Sequence, residues 1–215
     1  MYSKNHHACF ICEDESVWGF GYRGHHGRND YSDDIKFRKI PKPEECKDYK
    51  KVTLGKFSRV ILTNSGKVFF NGQNKKYMLR SSVDVNAHVS KFGEIKDLFP
   101  IDDGDKIIDI ASGKHFLICV TEQGKCYGSG YIFYRYLSQC RRNSQNDEDH
   151  PYELKLPQGY KAVACWASCD YYSNAWVNAV KEDGATVTFA VGQDYDLAGA
   201  NGSGSCENFT RMDLP

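Results

Sequence analysis

The sequence has no excess of charge of either sign: 28 Lys and Arg residues balance 28 Asp and Glu residues in a chain of 215. A protein that binds the phosphate backbone of nucleic acid usually carries a positive excess or a basic stripe, so we expect no nucleic-acid partner. No apolar run approaches the roughly 18 residues of a membrane-spanning helix, so we expect no insertion into a membrane. The hydrophobic content of 40% is that of a globular protein.

Catalytic signatures are also missing. The sequence contains no G-x-x-x-x-G-K-S/T phosphate-binding loop and no G-x-S-x-G nucleophile motif. The glycine clusters at 128–130 and 201–205 do not open helices after strands, as dinucleotide-binding glycines do. We therefore predict that the protein is not an enzyme and binds no cofactor.

Cysteine is abundant and odd in number, with nine residues. The N-terminal segment has no apolar stretch typical of a secretory signal. We interpret the cysteines as small buried residues in a reducing compartment and expect the protein in the cytoplasm or nucleus. Cys9 and Cys12 form a C-x-x-C pair, but strand residues three apart point to opposite faces, so we predict no metal site there.

Four segments share one pattern: an apolar strand, a short polar turn, and a second strand that ends at glycine. They cover residues 6–28, 56–80, 114–137 and 175–199. The turn positions are Glu15, Gly66, Gly124 and Gly184, which are 51, 58 and 60 residues apart. Glycine at such a position provides a positive φ without steric cost. Because the first copy has Glu15 instead, we expect its hairpin to be slightly strained or to use a different turn.

Further extended segments flank these hairpins. Those before them are 50–55, 106–113 and 161–169, and those after them are 34–41, 152–157 and 209–215. Four strands in each unit of about 50–60 residues is the rhythm of propeller blades. We therefore predict an all-β, propeller-like single domain over 1–215, with repeats at about 1–48, 49–103, 104–158 and 159–215.

The third copy, IIDIASGKHFLICVTEQGKCYGSG over 107–130, resembles the repeat of the regulator of chromosome condensation family. The resemblance covers the chain apart from linkers near 81–100 and 140–151, and the second copy has Phe57 at the family's His position. It implies a β-propeller of the kind that the family builds from seven blades, with structural roles for the recurrent residues. These residues are His6, Trp18, Gly21, Gly55, Gly66, Gly72, Gly113, His115, Gly124, Gly130, Gly184 and Gly192.

Four repeats are too few for a seven-bladed ring. The sequence begins within a repeat, so we expect the first blade to lack its N-terminal strand. Three explanations stay open: a piece of a longer chain, a partial ring completed by a partner, or a four-bladed ring that joins the two chain ends in one blade. Because an open arc has unprotected edges, we expect those edges to determine what the protein binds.

These observations predict a non-catalytic protein–protein interaction or scaffold module within a larger complex. The family resemblance implies an alternative, a guanine-nucleotide exchange factor for a small GTPase, although no residue of that activity can be assigned to this chain. Loops carry binding functions more often than cores do. Two polar loops contain the candidate partner-binding residues, which are Arg23, His25, His26, Arg28, Arg141 and Arg142.

Overall fold

The computed structural model describes residues 2–4, 7–21, 34–56, 58–74, 78–79, 88–130, 151–168, 174–192 and 206–212. These ranges contain sixteen strands and no helix, and therefore no helix with the length and apolarity needed to cross a bilayer. The prediction of an all-β protein is confirmed.

The strands form four antiparallel sheets, and each sheet consists of four strands that are consecutive in the chain. The first contains β1 (Tyr2–Lys4), β2 (His7–Ile11), β3 (Val17–Gly21) and β4 (Asp34–Ile40). The second contains β5 (Tyr49–Leu54), β6 (Ser58–Thr63), β7 (Val68–Gln73) and β8 (His88–Glu94). The third contains β9 (Ile107–Ser112), β10 (Phe116–Thr121), β11 (Cys126–Gly130) and β12 (Tyr152–Glu153). The fourth contains β13 (Tyr160–Ala167), β14 (Asn174–Lys181), β15 (Thr186–Gly192) and β16 (Cys206–Met212).

One turn closes the central hairpin of every sheet. At each turn position the N–H donates to the carbonyl oxygen three residues earlier, over 2.8–3.0 Å. Gly66, Gly124 and Gly184 have φ values of 84°, 85° and 84°, and Glu15 has a φ of 59°. Glu15 therefore uses the glycine turn rather than a different one, at a steric cost of about 1–2 kcal/mol for its Cβ.

One expectation about the strands is wrong, and one of the three open explanations is excluded. The first blade does not lack its N-terminal strand, because β1 pairs with β2 and places Tyr2 opposite Cys9 and Lys4 opposite His7. The two chain ends do not share a blade, since the first and fourth sheets each contain four strands of their own. In addition, β8 lies within the segment 81–100 that was assigned to a linker, and it pairs with β7.

The sheets pack face to face in chain order, with an apolar core between each consecutive pair. The first strands β1, β5, β9 and β13 contact one another in the same order. We call the face of a sheet that points to the preceding sheet its rear face, and the opposite one its forward face. Among the described residues, no other sheet packs on the rear face of the first sheet or on the forward face of the fourth.

Candidate interaction surfaces

Alternate residues of each central strand are buried in different cores. In β6, Ile61 packs against the first sheet, whereas Val60 and Leu62 pack against the third. In β10, Cys119 faces the second sheet and Ile118 faces the fourth. Because strand side chains alternate between faces, a single strand can contribute to two inter-sheet cores. The faces that meet inside the arc are therefore apolar and closely covered.

The rear face of the first sheet has the same apolar character but is covered unequally: Ala8 is fully buried, whereas the large aromatic side chains on this face keep part of their surface exposed. Phe10 lies opposite Trp18 in the β2–β3 register, and the ring of Phe37 packs edge-on against Phe10 with the centroids 5.0 Å apart. The Trp18 indole N–H donates to the Ser16 hydroxyl at 2.8 Å, which satisfies its polar atom. Phe10 and Trp18 are half-buried, and Phe37 is 43% exposed.

The forward face of the fourth sheet presents a second aromatic surface. Trp166 of β13 lies opposite Trp176 of β14, on the side away from the core shared with the third sheet. Trp166 is 45% exposed and Trp176 is half-buried. Beside them, the Thr188 hydroxyl donates to the Asn178 side-chain oxygen at 2.7 Å.

The large apolar side chains that are exposed to solvent are concentrated on these two sheets. Among the described residues, the large apolar side chains exposed by more than a third are Phe37, Val163 and Trp166. Phe37 belongs to the first sheet, and the other two belong to β13 of the fourth. The second and third sheets, which are covered on both faces, contribute none of them. Apolar exposure therefore follows the position of a sheet in the arc.

The hairpin turns show the same difference. A Cβ placed on Gly66 would lie 3.1 Å from Lys106 Cβ, and one placed on Gly124 would lie 2.7 Å from Lys161 Cβ. In both cases the turn packs against the beginning of the following sheet. The equivalent position of the fourth sheet has no such contact, since a Cβ on Gly184 would meet no described atom within 4 Å.

An ion-paired group connects the first strands of three sheets. The Lys51 ammonium of β5 donates to Asp109 Oδ1 of β9 at 2.6 Å and to the Cys165 carbonyl oxygen of β13 at 3.2 Å. The Cys165 N–H donates to Asp109 Oδ2 at 2.8 Å. Because Asp109 is the common acceptor, its carboxylate joins the second, third and fourth sheets.

Asp109→Ala is expected to lower the free energy of unfolding by about 2–3 kcal/mol, because the Cys165 N–H loses its acceptor and Lys51 loses its ion pair. Asp109→Asn is the matched control: it keeps an oxygen for the Cys165 N–H and removes only the charge, so we expect a clearly smaller loss. Urea denaturation of both variants measures the difference. Equal losses would show that the link between the sheets depends on the charge alone.

A buried guanidinium lies between the first and second sheets. Arg59 of β6 is fully buried, and its Nη1 donates to Asn71 Oδ1 at 2.9 Å. Burial lowers the pKa of Arg59 to about 10. Burial also raises the pKa of the Cys9 thiol to about 11, although the Arg59 charge opposes this change. At neutral pH the thiol is therefore neutral, and Cys9 is not an activated nucleophile.

Six of the described cysteines are free thiols. Five of them are buried, and Cys12, which follows β2, is half-buried. The buried ones are Cys9, Cys46, Cys119, Cys126 and Cys165. Within the ranges that the structure describes, no cluster of three or more His, Cys, Asp or Glu residues has the arrangement of a metal site.

The candidate partner-binding residues lie outside the described residues. They are Arg23, His25, His26, Arg28, Arg141 and Arg142, and His6 also lies outside. Trp18 is described, and it lies on the rear face of the first sheet rather than between two sheets.

The recurrent glycines occupy turns and close approaches. Gly55 and Gly113 begin equivalent tight connections, in which their N–H groups donate to the carbonyl oxygens of Ser58 and Phe116 at 2.9 Å. His115 lies in the second of these connections and is half-buried. At the strand ends, Gly72 and Gly130 have φ values of 126° and 100°. Gly21 and Gly192 are the last residues of β3 and β15.

Sequence reasoning did not identify the exposed aromatic surfaces. Phe37, Trp166 and Trp176 belong to strands whose composition resembles that of the interior blades. The available signal was the alternation within each strand: once Val177 is assigned to the core with the third sheet, Trp176 must point the other way. Asp109 was also missed, because its partners Lys51 and Cys165 are 58 and 56 residues away in the chain.

No protein-family model matches the chain, and no curated protein matches it. Solved structures do. Human WBSCR16 is 16% identical with a TM-score of 0.68, over 97% of this chain and 50% of that one. Prp20p from Saccharomyces cerevisiae, which was solved in a study of its binding to Gsp1p and histones, is 18% identical with a TM-score of 0.67, over 100% and 52%. Yeast RCC1 (Prp20) bound to Kap60 is 18% identical with a TM-score of 0.69, over 100% and 50%.

The chain therefore spans about half the length of the solved structures that it resembles. The match agrees with the four consecutive four-stranded sheets and with the hairpin turn that recurs in each of them. This chain has the fold of an RCC1-type β-propeller, of which it forms four blades in an unclosed arc.

Proposed function

We propose that this chain is a non-catalytic protein-interaction module, a single propeller-like domain over 1–215 that works within a larger assembly. One observation carries the proposal: the exposed large apolar residues, Phe37, Val163 and Trp166, all belong to the two sheets at the ends of the arc. Exposed apolar side chains that are grouped on particular sheets of a folded protein are a feature of protein-binding sites.

The composition of the two end faces supports this proposal. Interfaces are enriched in Trp, Tyr and Phe, which contribute large buried areas with little loss of side-chain entropy. The rear face of the first sheet provides Phe10, Trp18 and Phe37, and the forward face of the fourth sheet provides Trp166 and Trp176. The indole N–H of Trp18 already has an acceptor in Ser16, so covering that side chain leaves no unpaired donor.

The polar loops are proposed as a second contact region. Arg23, His25, His26 and Arg28 belong to the segment that follows β3, and Arg141 and Arg142 belong to the segment that follows β11. Arginine forms bidentate pairs with carboxylates, so these loops suit an acidic protein surface. We propose cytoplasmic or nuclear proteins as partners.

Guanine-nucleotide exchange is the second candidate. It is supported by the structural likeness to Prp20p, whose binding to Gsp1p has been studied. Acceleration of nucleotide release from a panel of small GTPases by the purified chain would establish this activity and would contradict a function limited to scaffolding. The chain spans about half of Prp20p, and no exchange residue is assigned to it.

Site-specific photocrosslinking tests the interaction proposal. A benzophenone amino acid replaces Trp166 or Phe37 in the full chain, expressed in its native cells, and Gln123 in the hairpin turn of the third sheet is the control position. We expect covalent adducts with protein at both end-face positions and not at Gln123. Absence of protein adducts at both positions would contradict the proposed function, and mass spectrometry of the adducts identifies the bound polypeptide.

A further inference from the structure

We propose that the cleft between the hairpin turn of the second sheet and the connection from β8 to β9 binds an arginine side chain of a partner polypeptide. We call it the connection cleft. Its walls include Ser65, Gly66 and Lys67 of the turn and most of the connection, and its volume is about 430 Å³. The cleft belongs to the second and third sheets rather than to the two end faces, so this inference goes beyond the proposed function.

The connection from β8 to β9 is the longest of the three that join consecutive sheets. It has twelve residues, 95–106, whereas the connection from β4 to β5 has eight, 41–48, and the one from β12 to β13 has six, 154–159. Six residues therefore suffice to join two sheets, and the others are available for another role. Loops outside the packed core carry binding functions more often than the core does.

The lining of the connection cleft is partly apolar and partly acidic. Leu98 and Phe99 are buried in the core between the second and third sheets, and Ile95 and Ile101 are half-buried beside them. Five carboxylates and three lysines also line the cleft, which gives it a net charge of −2. Because a concave surface focuses the field of its charges, this excess attracts a cation.

Two of the three lysines are already engaged by carboxylates. Lys67 Nζ lies 3.6 Å from Glu94 Oε2, and Lys106 Nζ lies 3.2 Å from Glu122 Oε1. The third, Lys96, is exposed and forms no ion pair with any residue that the structure describes. The lysines of the lining therefore leave part of its negative charge uncompensated.

Two carboxylates of the lining have capacity for a further cation. Asp97 and Asp103 are exposed, and among the described residues neither forms an ion pair or a side-chain hydrogen bond. A third, Asp102, pairs instead with Lys125, which does not line the cleft. A cationic group of a partner can therefore reach Asp97 and Asp103 without breaking an existing pair.

Asp105 gives an independent indication that a donor belongs in this cleft. Its Oδ1 accepts hydrogen bonds from the backbone N–H groups of Lys106 at 2.8 Å and Gln123 at 3.1 Å, which hold the carboxylate against the turn of the third sheet. Its Oδ2 is buried and accepts no hydrogen bond from any described residue. Such an atom is costly, because it loses hydration without a replacement donor. A cationic head group that enters beside Asp105 supplies one.

The lining selects a side chain with an apolar stem and a cationic head. Lysine and arginine both lay their methylene stems along apolar surface. Arginine fits better, because its guanidinium has five N–H donors in a planar fork that can serve several carboxylates at once. The described acidic residues do not have the arrangement of a metal site, which favours an organic cation over a metal ion.

Titration of the isotope-labelled chain with a blocked arginine peptide, acetyl-Gly-Arg-Gly-amide, tests the proposal by nuclear magnetic resonance. We expect saturable shift changes at the backbone amides of Gly66, Leu98 and Gly104, which line the cleft. The amide of Gly184, in the equivalent turn of the fourth sheet, is expected not to change. Citrulline in place of arginine keeps the shape of the side chain and removes its charge, so we expect that control peptide to bind at least about tenfold more weakly.

Variants of the lining provide the second part of the test. The double variant Asp97→Asn and Asp103→Asn removes two charges, and asparagine tolerates the φ of 53° at position 97. We expect its Kd for the arginine peptide to rise at least about fivefold, and we expect a similar rise for Asp105→Asn. Asp183→Asn, in the turn of the fourth sheet, is the matched control and is expected to leave the Kd unchanged. Thermal unfolding checks that each variant is folded.

Three results would each overturn the proposal: no saturable change at about 10 mM peptide, equal binding of the citrulline peptide, or an unchanged Kd in the double variant. None of these measurements involves Phe37, Val163 or Trp166. Failure of the arginine site therefore leaves the interaction proposal for the end faces standing, and absence of crosslinks at the end faces leaves the arginine site standing.

Discussion

Gly55→Ala is expected to destabilise the protein by about 3 kcal/mol or more, the largest effect of any single methyl addition proposed for this chain. A Cβ at Gly55 would overlap the backbone carbonyl oxygen of Gly113 in the neighbouring sheet. It would also overlap the hydroxyls of Ser58 and Ser112, which share a buried hydrogen bond of 2.9 Å between the second and third sheets. Backbone cannot move aside as a flexible side chain can, so the second and third sheets must separate.

Gly93→Ala is the control for this prediction. Gly93 lies in β8, and a Cβ there would meet no described atom within 4 Å. We expect its stability to change by less than about 0.5 kcal/mol. Denaturant unfolding of the two variants measures the contrast. Similar losses of unfolding free energy in the two variants would contradict the prediction. They would mean that any added methyl group is costly, whether or not two sheets approach closely at that position.

Mild alkali is expected to unfold the protein far more readily than it unfolds a protein without buried thiols. The Cys9 pKa is raised by burial from 9.0 to about 11. Between pH 9 and 11 the unfolded chain loses this proton while the folded chain keeps it, so the free energy of unfolding falls as the pH rises. For Cys9 the difference corresponds to about 2 kcal/mol at pH 11.

Other buried thiols add to this alkaline effect. Burial raises the pKa values of Cys119, Cys126 and Cys165 in the same direction. Arg59 acts in the opposite sense above pH 10, because burial lowers its pKa to about 10. The informative window is therefore pH 9–10, where the thiols of the unfolded chain ionise and Arg59 is still mostly charged.

Urea denaturation at fixed pH values between 8 and 10, under reducing conditions, measures the alkaline loss. Cys9→Ala is the matched variant, since it removes one titrating group from the core between the first and second sheets and replaces it with a small apolar residue. We expect its stability to fall less steeply with pH than that of the unaltered chain. A flat profile for the unaltered chain, or identical slopes for the two proteins, would show that the buried thiols do not control the alkaline transition.

Local chemistry made the turns predictable. Gly66, Gly124 and Gly184 have a positive φ, as expected for glycine in a short hairpin turn. Glu15 shows the limit of that argument: its residue type allowed either a strained version of the same turn or another turn, and the structure has the strained version, with a φ of 59°. The repeated strands on both sides of the turn hold the backbone of this position, and the cost of the Cβ is small compared with the pairing of β2 with β3.

The strands at the edges of the pattern were harder to predict. The segment of β1, Tyr2–Lys4, has three residues and no turn signal of its own, and it is a strand because β2 provides its backbone partners. The segment of β8, HVSKFGE, mixes polar and apolar residues without the β-branched run of the other strands, and it extends along the edge of β7. Short or polar strands form only where a neighbouring strand provides their hydrogen bonds. A single sequence does not show directly which segment that neighbour is.

The sequence by itself determined the repeat, its hairpins and the all-β class, because these depend on residues within a few positions of each turn. It also determined that each central strand has two apolar sides. Only the tertiary structure decided which sides are covered, since that depends on the order in which whole sheets pack. Phe69 and Trp18 occupy equivalent positions, yet Phe69 is fully buried by the preceding sheet and Trp18 is half-buried at the end of the arc. The same pattern of residues forms a core between two sheets and an exposed aromatic surface where the sheets end.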